Sequence, residues 1–367
     1  MKAASLVLPG FLFFWFTDAA SPPVPAESVP AVPDTLHLVL AGDLMVHDEQ
    51  LKSARQTDGT WRFDPVFTEI APLLAGKTAW ANLETVLWET PAVFHGYPRF
   101  RTPVAFAEAV HRAGFSGVWT SNNHSLDWGV KGIRETRRLL AQTSLTQQGV
   151  RADTSEAQGF RLFQFGQGLL ATAAYTYGIN GTIPDSVAWM IPVIDTVSIR
   201  KDLAVLQTER PPDVPVFTVV ALHWGTEYDS LPSQSQIRIA EHLIRSGVDV
   251  VAGHHPHVIQ PARWVKRESG DSGLVLFSLG NLISAQRTFP RAIGGLADIQ
   301  ILNHHGRFTM AGFRFWPTWV DSRGPVPWLI RRADLSAISA EPSPNRRKSL
   351  ILARKHVAGI LGDANVR

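Results

Sequence analysis

Short apolar, β-branched runs with little polar alternation constrain this chain most. Val248-Asp249-Val250-Val251-Ala252 is one, and Leu36 to Ala41 and Val216 to Leu222 are others. A strand that is apolar along its length is buried on both faces, the situation of a parallel sheet covered by helices. Further strands are predicted at Thr78 to Ala81, Ser116 to Thr120, Leu169 to Ala174 and Leu274 to Ser278. Between them the hydrophobic period changes to that of helices, over Val104 to Ala113, Val130 to Ala141 and Gln234 to Arg245. In the last, Ile237, Ala240, Leu243 and Ile244 share one face and Gly247 ends the helix. Thr102-Pro103 reads as an N-cap with a first-turn proline. This alternation predicts an α/β domain. Past Leu282, antiparallel strands are expected near Leu296 to Leu302 and Phe308 to Phe315. The stretch Ala333 to Pro344 reads as irregular, and Lys348 to Leu361 as a basic terminal helix.

With 367 residues, 45% of them apolar, the chain can bury a sizeable core. A net charge of +3 without dense basic blocks argues against nucleic-acid binding. There are no cysteines, so disulfides, thiolate nucleophiles and Cys-ligated metals are excluded. Lys2, the apolar run Leu6 to Phe16 and the small residues Ala19-Ala20-Ser21 outline a secretory signal peptide. An uncleaved amino-terminal anchor is the alternative. Five prolines between Ser21 and Pro33 mark a linker. The expected organisation is a signal peptide at 1–20, a linker at 21–34, the main domain at 35–330 and a tail with a basic helix at 331–367. Export places the protein in the periplasm, outside the cell, or on a membrane through its amino-terminal segment.

Five predicted strands end in metal-ligand residue types. They are Asp43 after the first, Asn82 and Glu84 after the second, Asn122-Asn123-His124 after the third, then His223, then His254-His255-Pro256-His257. Residues just past the carboxyl ends of parallel strands line the crevice where α/β folds bind ligands. Hard or borderline divalent cations take oxygen and imidazole ligands of this kind. Each signal has a local alternative: Asp43 as an N-cap, Asn123 as a left-handed turn residue, Asp127 as a helix cap or a partner orienting His124. Their recurrence at successive strand ends points to metal.

Ala41-Gly42-Asp43-Leu44-Met45, Asn82-Leu83-Glu84, Ser121 to Gly129, His223 to Tyr228, Gly253 to Gln260 and Phe277-Ser278-Leu279-Gly280-Asn281 occur in that order. Together they resemble the CapA family, capsule-biosynthesis proteins linked to poly-γ-glutamate within the calcineurin-like metallophosphoesterases. The resemblance runs from about Leu36 to Ile283. It implies a four-layer α-β-β-α sandwich of the calcineurin-like metallophosphatase type. It also implies two divalent cations, with Mn, Fe, Zn and Mg all compatible, held by Asp43, Glu84, Asn123, His223, His255 and His257. His124 would assist the leaving group as the catalytic histidine. Asn82 and His254 are additional candidates, the latter because the alignment is ambiguous by one position. Two departures stand out: Met45 occupies the position of a superfamily histidine, with His47 two residues further on, and Glu84 replaces the bridging aspartate.

The resemblance implies an exported protein of capsule or cell-surface polymer biosynthesis with metal-dependent hydrolase or transferase chemistry. Its partners would be an anionic polymer or its precursor and a membrane synthase complex. The competing expectations are a non-catalytic polymer-binding or export component and a secreted metallophosphatase for small molecules. Arg99 and Arg101 are candidates for binding anionic groups, and Asn180 for a substrate or supporting contact.

Overall fold

The computed structural model describes residues 35–89, 93–156, 159–304 and 306–367; the segments predicted as signal peptide and linker lie outside them. In chain order the strands are β1 (Thr35–Leu44), β2 (Thr78–Leu83), β3 (Val86–Trp88), β4 (Arg101–Pro103), β5 (Gly117–Trp119), β6 (Thr146–Gln148), β7 (Arg161–Phe165) and β8 (Gly168–Thr176). They continue as β9 (Val216–His223), β10 (Val250–His254), β11 (Ile259–Lys266), β12 (Ser272–Leu279), β13 (Asn281–Ile283), β14 (Ile293–His304), β15 (Arg307–Asp321) and β16 (Leu329–Arg332). The α-helices are α1 (Asp48–Ala54), α2 (Ala71–Leu74), α3 (Ala105–Arg112), α4 (Gly129–Gln142), α5 (Thr196–Glu209), α6 (Gln234–Arg245), α7 (Leu335–Ala340) and α8 (Pro344–Leu361).

One sheet runs β16-β15-β14-β1-β2-β5-β6, with β13 also paired to β1; the other runs β11-β12-β10-β9-β8-β7. The period-2 alternation of β1 explains the layering. Leu38 and Leu40 enter a core between the sheets with Trp80, Trp119, Phe217, Val250 and Leu276. Val39 and Ala41 face the opposite way, onto Leu51 of α1, Phe106 and Val110 of α3 and Leu139 of α4. Beyond the second sheet, Val220, Leu222, Val251 and Val275 pack on Ile199 and Leu203 of α5 and Ala240, Leu243 and Ile244 of α6. The result is the expected α-β-β-α sandwich.

Strands β1, β2, β5 and β6 are mutually parallel, as are β8, β9, β10 and β12. Both sets therefore deliver their carboxyl ends together. Pairing of β1 with β2 slips between Ala41 and Asp43, so Gly42 is an extra, bulged residue. A Cβ on Gly42 would lie 2.0 Å from the Gly280 carbonyl oxygen, and one on Gly253 would lie 1.9 Å from that of Phe277. Glycine at these positions lets the strands close up immediately before Asp43 and the histidine run.

Two expectations are corrected. Arg101 to Pro103 forms β4, parallel to β3, and α3 begins at Ala105 with Val104 as its N-cap. The Thr102 hydroxyl bonds Thr85 Oγ1 at 2.7 Å, so pairing with β3 supersedes the capping role. The stretch read as irregular, 333–344, contains α7, whose first turn is capped by Asp334 accepting from Ser336 and Ala337 N–H. The basic helix α8 belongs to the same compact unit as the sandwich, Asp34–Arg367. Its Leu350, Ala353 and Val357 are fully buried in the inter-sheet core.

Candidate metal centre

The β1 bulge places Asp43 beside Asn82 at the end of β2, with its backbone N–H donating to Gly280 at 2.9 Å. The turn after β2 brings in Glu84, whose N–H donates to Leu44. Asp43 and Glu84 are completely buried. From the second sheet, His223 ends β9, while His255 and His257 follow β10 in left-handed conformations with φ of +96° and +57°. Both residues thus sit in a backbone region that non-glycine residues seldom adopt, in the loop that carries their rings into the cluster.

His257 Nδ1 donates to Asp43 Oδ2 at 3.0 Å, and its Nε2 lies 3.7 Å from Glu84 Oε1. His223 Nε2 lies 3.6 Å from the same Glu84 oxygen and donates to Asn123 Oδ1 at 2.8 Å. Two ligand groups contain Glu84, one with Asp43 and His257 and one with His223 and His255; in each, one potential ligand atom per residue lies within 4.8 Å of the others. Glu84 is thus common to both. Glu84 Oε1 and His255 Nδ1 are buried without a hydrogen-bond partner among the described residues. Orphaned donor atoms of ligand type, surrounded by carboxylates and imidazoles, fit a divalent cation.

The electrostatics agree. Burial, and next the Asp43 charge, push Glu84 well above the usual carboxylate range. Burial also opposes ionisation of Asp43, but the hydrogen bond and charge of His257, with help from His254 and Asn82, outweigh it and hold Asp43 below 3.8. Burial drives His223 well below 6.5 and His255 to about 4, with neighbouring histidines adding to the effect. These two imidazoles are neutral at pH 7, the form that ligates.

Other sequence candidates fall into distinct places. His254 turns away from the centre: its Nε2 donates to the Ala41 carbonyl at 3.1 Å, joining the sheets, and its ring packs on Trp119. Asn82 directs its amide nitrogen at the carboxylates, 2.8 Å from Asp43 Oδ1 and 3.2 Å from Glu84 Oε2. Met45 is buried, and His47 caps α1 and meets the Phe100 ring edge-on, outside both ligand groups.

His124 Nδ1 donates to Asp127 Oδ2 at 2.8 Å, and the same carboxylate oxygen accepts the Phe100 N–H at 2.7 Å. This fixes the ring with Nε2 unprotonated in its neutral form, 3.3 Å from Asn180 Nδ2. Asn180 Oδ1 in turn accepts from Asn123 Nδ2 at 3.2 Å. An open cleft of about 670 Å³ adjoins this arrangement, lined by Tyr97, Arg99, His124, Asn180 and Glu227 among others. Arg99 donates through Nε and Nη2 to the Asp127 carbonyl and lies 4.8 Å from the Trp128 ring centroid. Arg101 sits instead against Trp128 and Trp88, at 4.0 and 5.2 Å. Trp224 is a core residue, donating to the Phe277 carbonyl at 3.0 Å.

Glu227 was not singled out from sequence. Its carboxylate groups with His255 and His257, although the residue is exposed. Its position four residues after His223 was a signal, but an exposed loop glutamate carries no local mark of function.

Fold and centre define a four-layer α/β protein whose parallel strands converge on a buried histidine–carboxylate cluster. Within that class the chain belongs to the family described as bacterial capsule synthesis protein PGA_cap, which it matches over residues 37–286. It is similar to the PGA biosynthesis protein CapA of Bacillus subtilis (strain 168), 24% identical over 346 residues and covering 89% of this chain and 80% of that protein. It is also similar to the capsule biosynthesis protein CapA of Bacillus anthracis, 27% identical over 280 residues, covering 74% of this chain and 64% of that protein. Among solved structures, the calcineurin-like phosphoesterase YfkN from Bacillus subtilis is similar with a TM-score of 0.45 at 9% identity, over 77% of this chain and 90% of that one.

Proposed function

We propose that this protein is an exported, CapA-like component of capsule or cell-surface polymer biosynthesis, and that its centre holds two divalent cations for hydrolase or transferase chemistry. The carrying observation is Glu84, shared by two ligand groups, beside a His124–Asp127 pair that belongs to neither. Asp43 and His257 would hold one cation, His223, His255 and Asn123 the other, with Glu84 between them. When bound, such cations activate water and neutralise charge on a phosphoryl or carbonyl oxygen. His124 then has a separate task. Asp127 anchors its Nδ1–H, which leaves Nε2 facing the cleft as the atom that would take up a proton from solvent and pass it to a departing oxygen or nitrogen. Arg99 and Asn180, on the cleft wall, orient an anionic polymer or its precursor. Export is carried by the apolar segment Leu6 to Phe16, and a membrane synthase complex is the proposed partner.

Metal analysis of the purified chain, followed by hydrolysis assays on phosphodiesters and on poly-γ-glutamate, tests this reading. The expected result is bound metal together with turnover that falls about 100-fold or more in His124→Ala while metal content is kept. A protein that takes up no metal, or one whose turnover does not depend on His124, overturns it. Polymer binding without turnover by the metal-loaded chain would instead favour a non-catalytic binding or export component, the role to which Arg99 in the cleft wall lends itself.

A further inference from the structure

Asn82 stands between the two carboxylates and also reaches His223. Its Nδ2 donates to Asp43 Oδ1 at 2.8 Å and to Glu84 Oε2 at 3.2 Å, and lies 3.3 Å from His223 Nδ1. Its Oδ1 accepts from Asn122 Nδ2 at 3.2 Å, and that nitrogen also donates to the Leu83 carbonyl at 2.8 Å. Asn122 therefore dictates which way the Asn82 amide faces, because its NH₂ has only an oxygen to meet there. An amide nitrogen offers two hydrogens and no lone pair to a cation. Facing the carboxylates with that end, Asn82 is not a ligand in this arrangement.

Its two hydrogens serve one oxygen of each acid. The oxygens left are Asp43 Oδ2, 3.0 Å from His257, and Glu84 Oε1, which faces both His223 and His257. We propose that Asn82 is a positioning residue that ties the two halves of the centre together, so that the geometry of Asp43 and that of Glu84 are set jointly. The inference rests on the two-cation reading above. Partners of this kind, hydrogen-bonded to metal-ligating carboxylates, typically carry about 10–100-fold in metal affinity. Because Asn82 contacts both acids, its loss acts on both cations, whereas loss of Asn123, which stands beside His223, acts on one.

The test is calorimetric titration of the purified, metal-free full chain with Mn²⁺, paired with direct measurement of bound metal. Wild type is expected to take up two equivalents. Asn82→Ala should weaken both steps by about 10–100-fold, and Asn123→Ala only one. Asn122→Ala, which leaves the carboxylates untouched but releases the Asn82 amide, should weaken both steps to a smaller extent. It carries the test if circular dichroism shows Asn82→Ala to be unfolded. Wild-type affinity in the Asn82 variant, or a loss confined to one step, overturns the proposal while leaving the metal reading intact. Uptake of no Mn²⁺ by the wild type overturns both, and uptake of a single equivalent overturns the joint role.

Discussion

His255 and His257 occupy left-handed backbone, a conformation that costs a non-glycine residue about 1–3 kcal/mol. Both are buried, and both point at Glu84 and Asp43 or their immediate surroundings. Asparagine visits left-handed backbone more routinely than other non-glycine residues, so His255→Asn is expected to relax the loop while removing a proposed ligand. Thermal denaturation should show a metal-free Tm no lower than that of wild type, with the upward shift on Mn²⁺ addition reduced or lost. A lower metal-free Tm together with an undiminished Mn²⁺ shift would contradict this account. The residue types here were legible in sequence because Asp, Glu, Asn and His crowd the ends of successive strands. Their pairing was not. Which of His254, His255 and His257 faces inward depends on two positive φ angles and on the bond from His254 to Ala41, a residue of the other sheet.

Among the elements, the strands buried on both faces and the amphipathic helix α6 were the most legible, since period and burial are local properties. Sequence reading failed where pairing overrode a local signal. Thr102-Pro103 has the chemistry of a helix start, yet β3 recruits it into β4. Helix α8 was recognisable as basic, but the burial of Leu350, Ala353 and Val357 against the inter-sheet core depends on β11 and β15, its neighbours in space. The chain end beyond it is held as well, Arg367 N–H donating to the Phe315 carbonyl at 3.0 Å. Leu350→Ala is therefore expected to destabilise the fold by about 2–5 kcal/mol, the range for a fully buried leucine. Urea denaturation measures it; a loss below about 0.5 kcal/mol, the range of surface changes, would mean that α8 is not part of the core.

At the scale of the molecule, the centre joins the two sheets. Asp43 and Glu84 belong to one, His223, His255 and His257 to the other, so a cation bound among them would stitch both layers in the folded state alone. Ligand that binds only the native form at 100 times its Kd adds about 2.7 kcal/mol. Chelation should therefore lower Tm by several degrees with little change in far-UV circular dichroism, and Mn²⁺ should restore it; an unchanged Tm would show that the cluster does not bind cations tightly. The same geometry separates local from global information. Alternating strand and helix periods, and ligand residues at strand ends, are written in contiguous sequence because backbone geometry and turn chemistry act over a few residues. That Asp43 meets His257, 214 residues away, that Glu84 is shared, and that Asn82 turns its nitrogen rather than its oxygen inward were decided only when the sheets stacked. Each of those outcomes depends on a hydrogen-bond partner or a backbone angle supplied by a distant part of the chain, and no local pattern contains it.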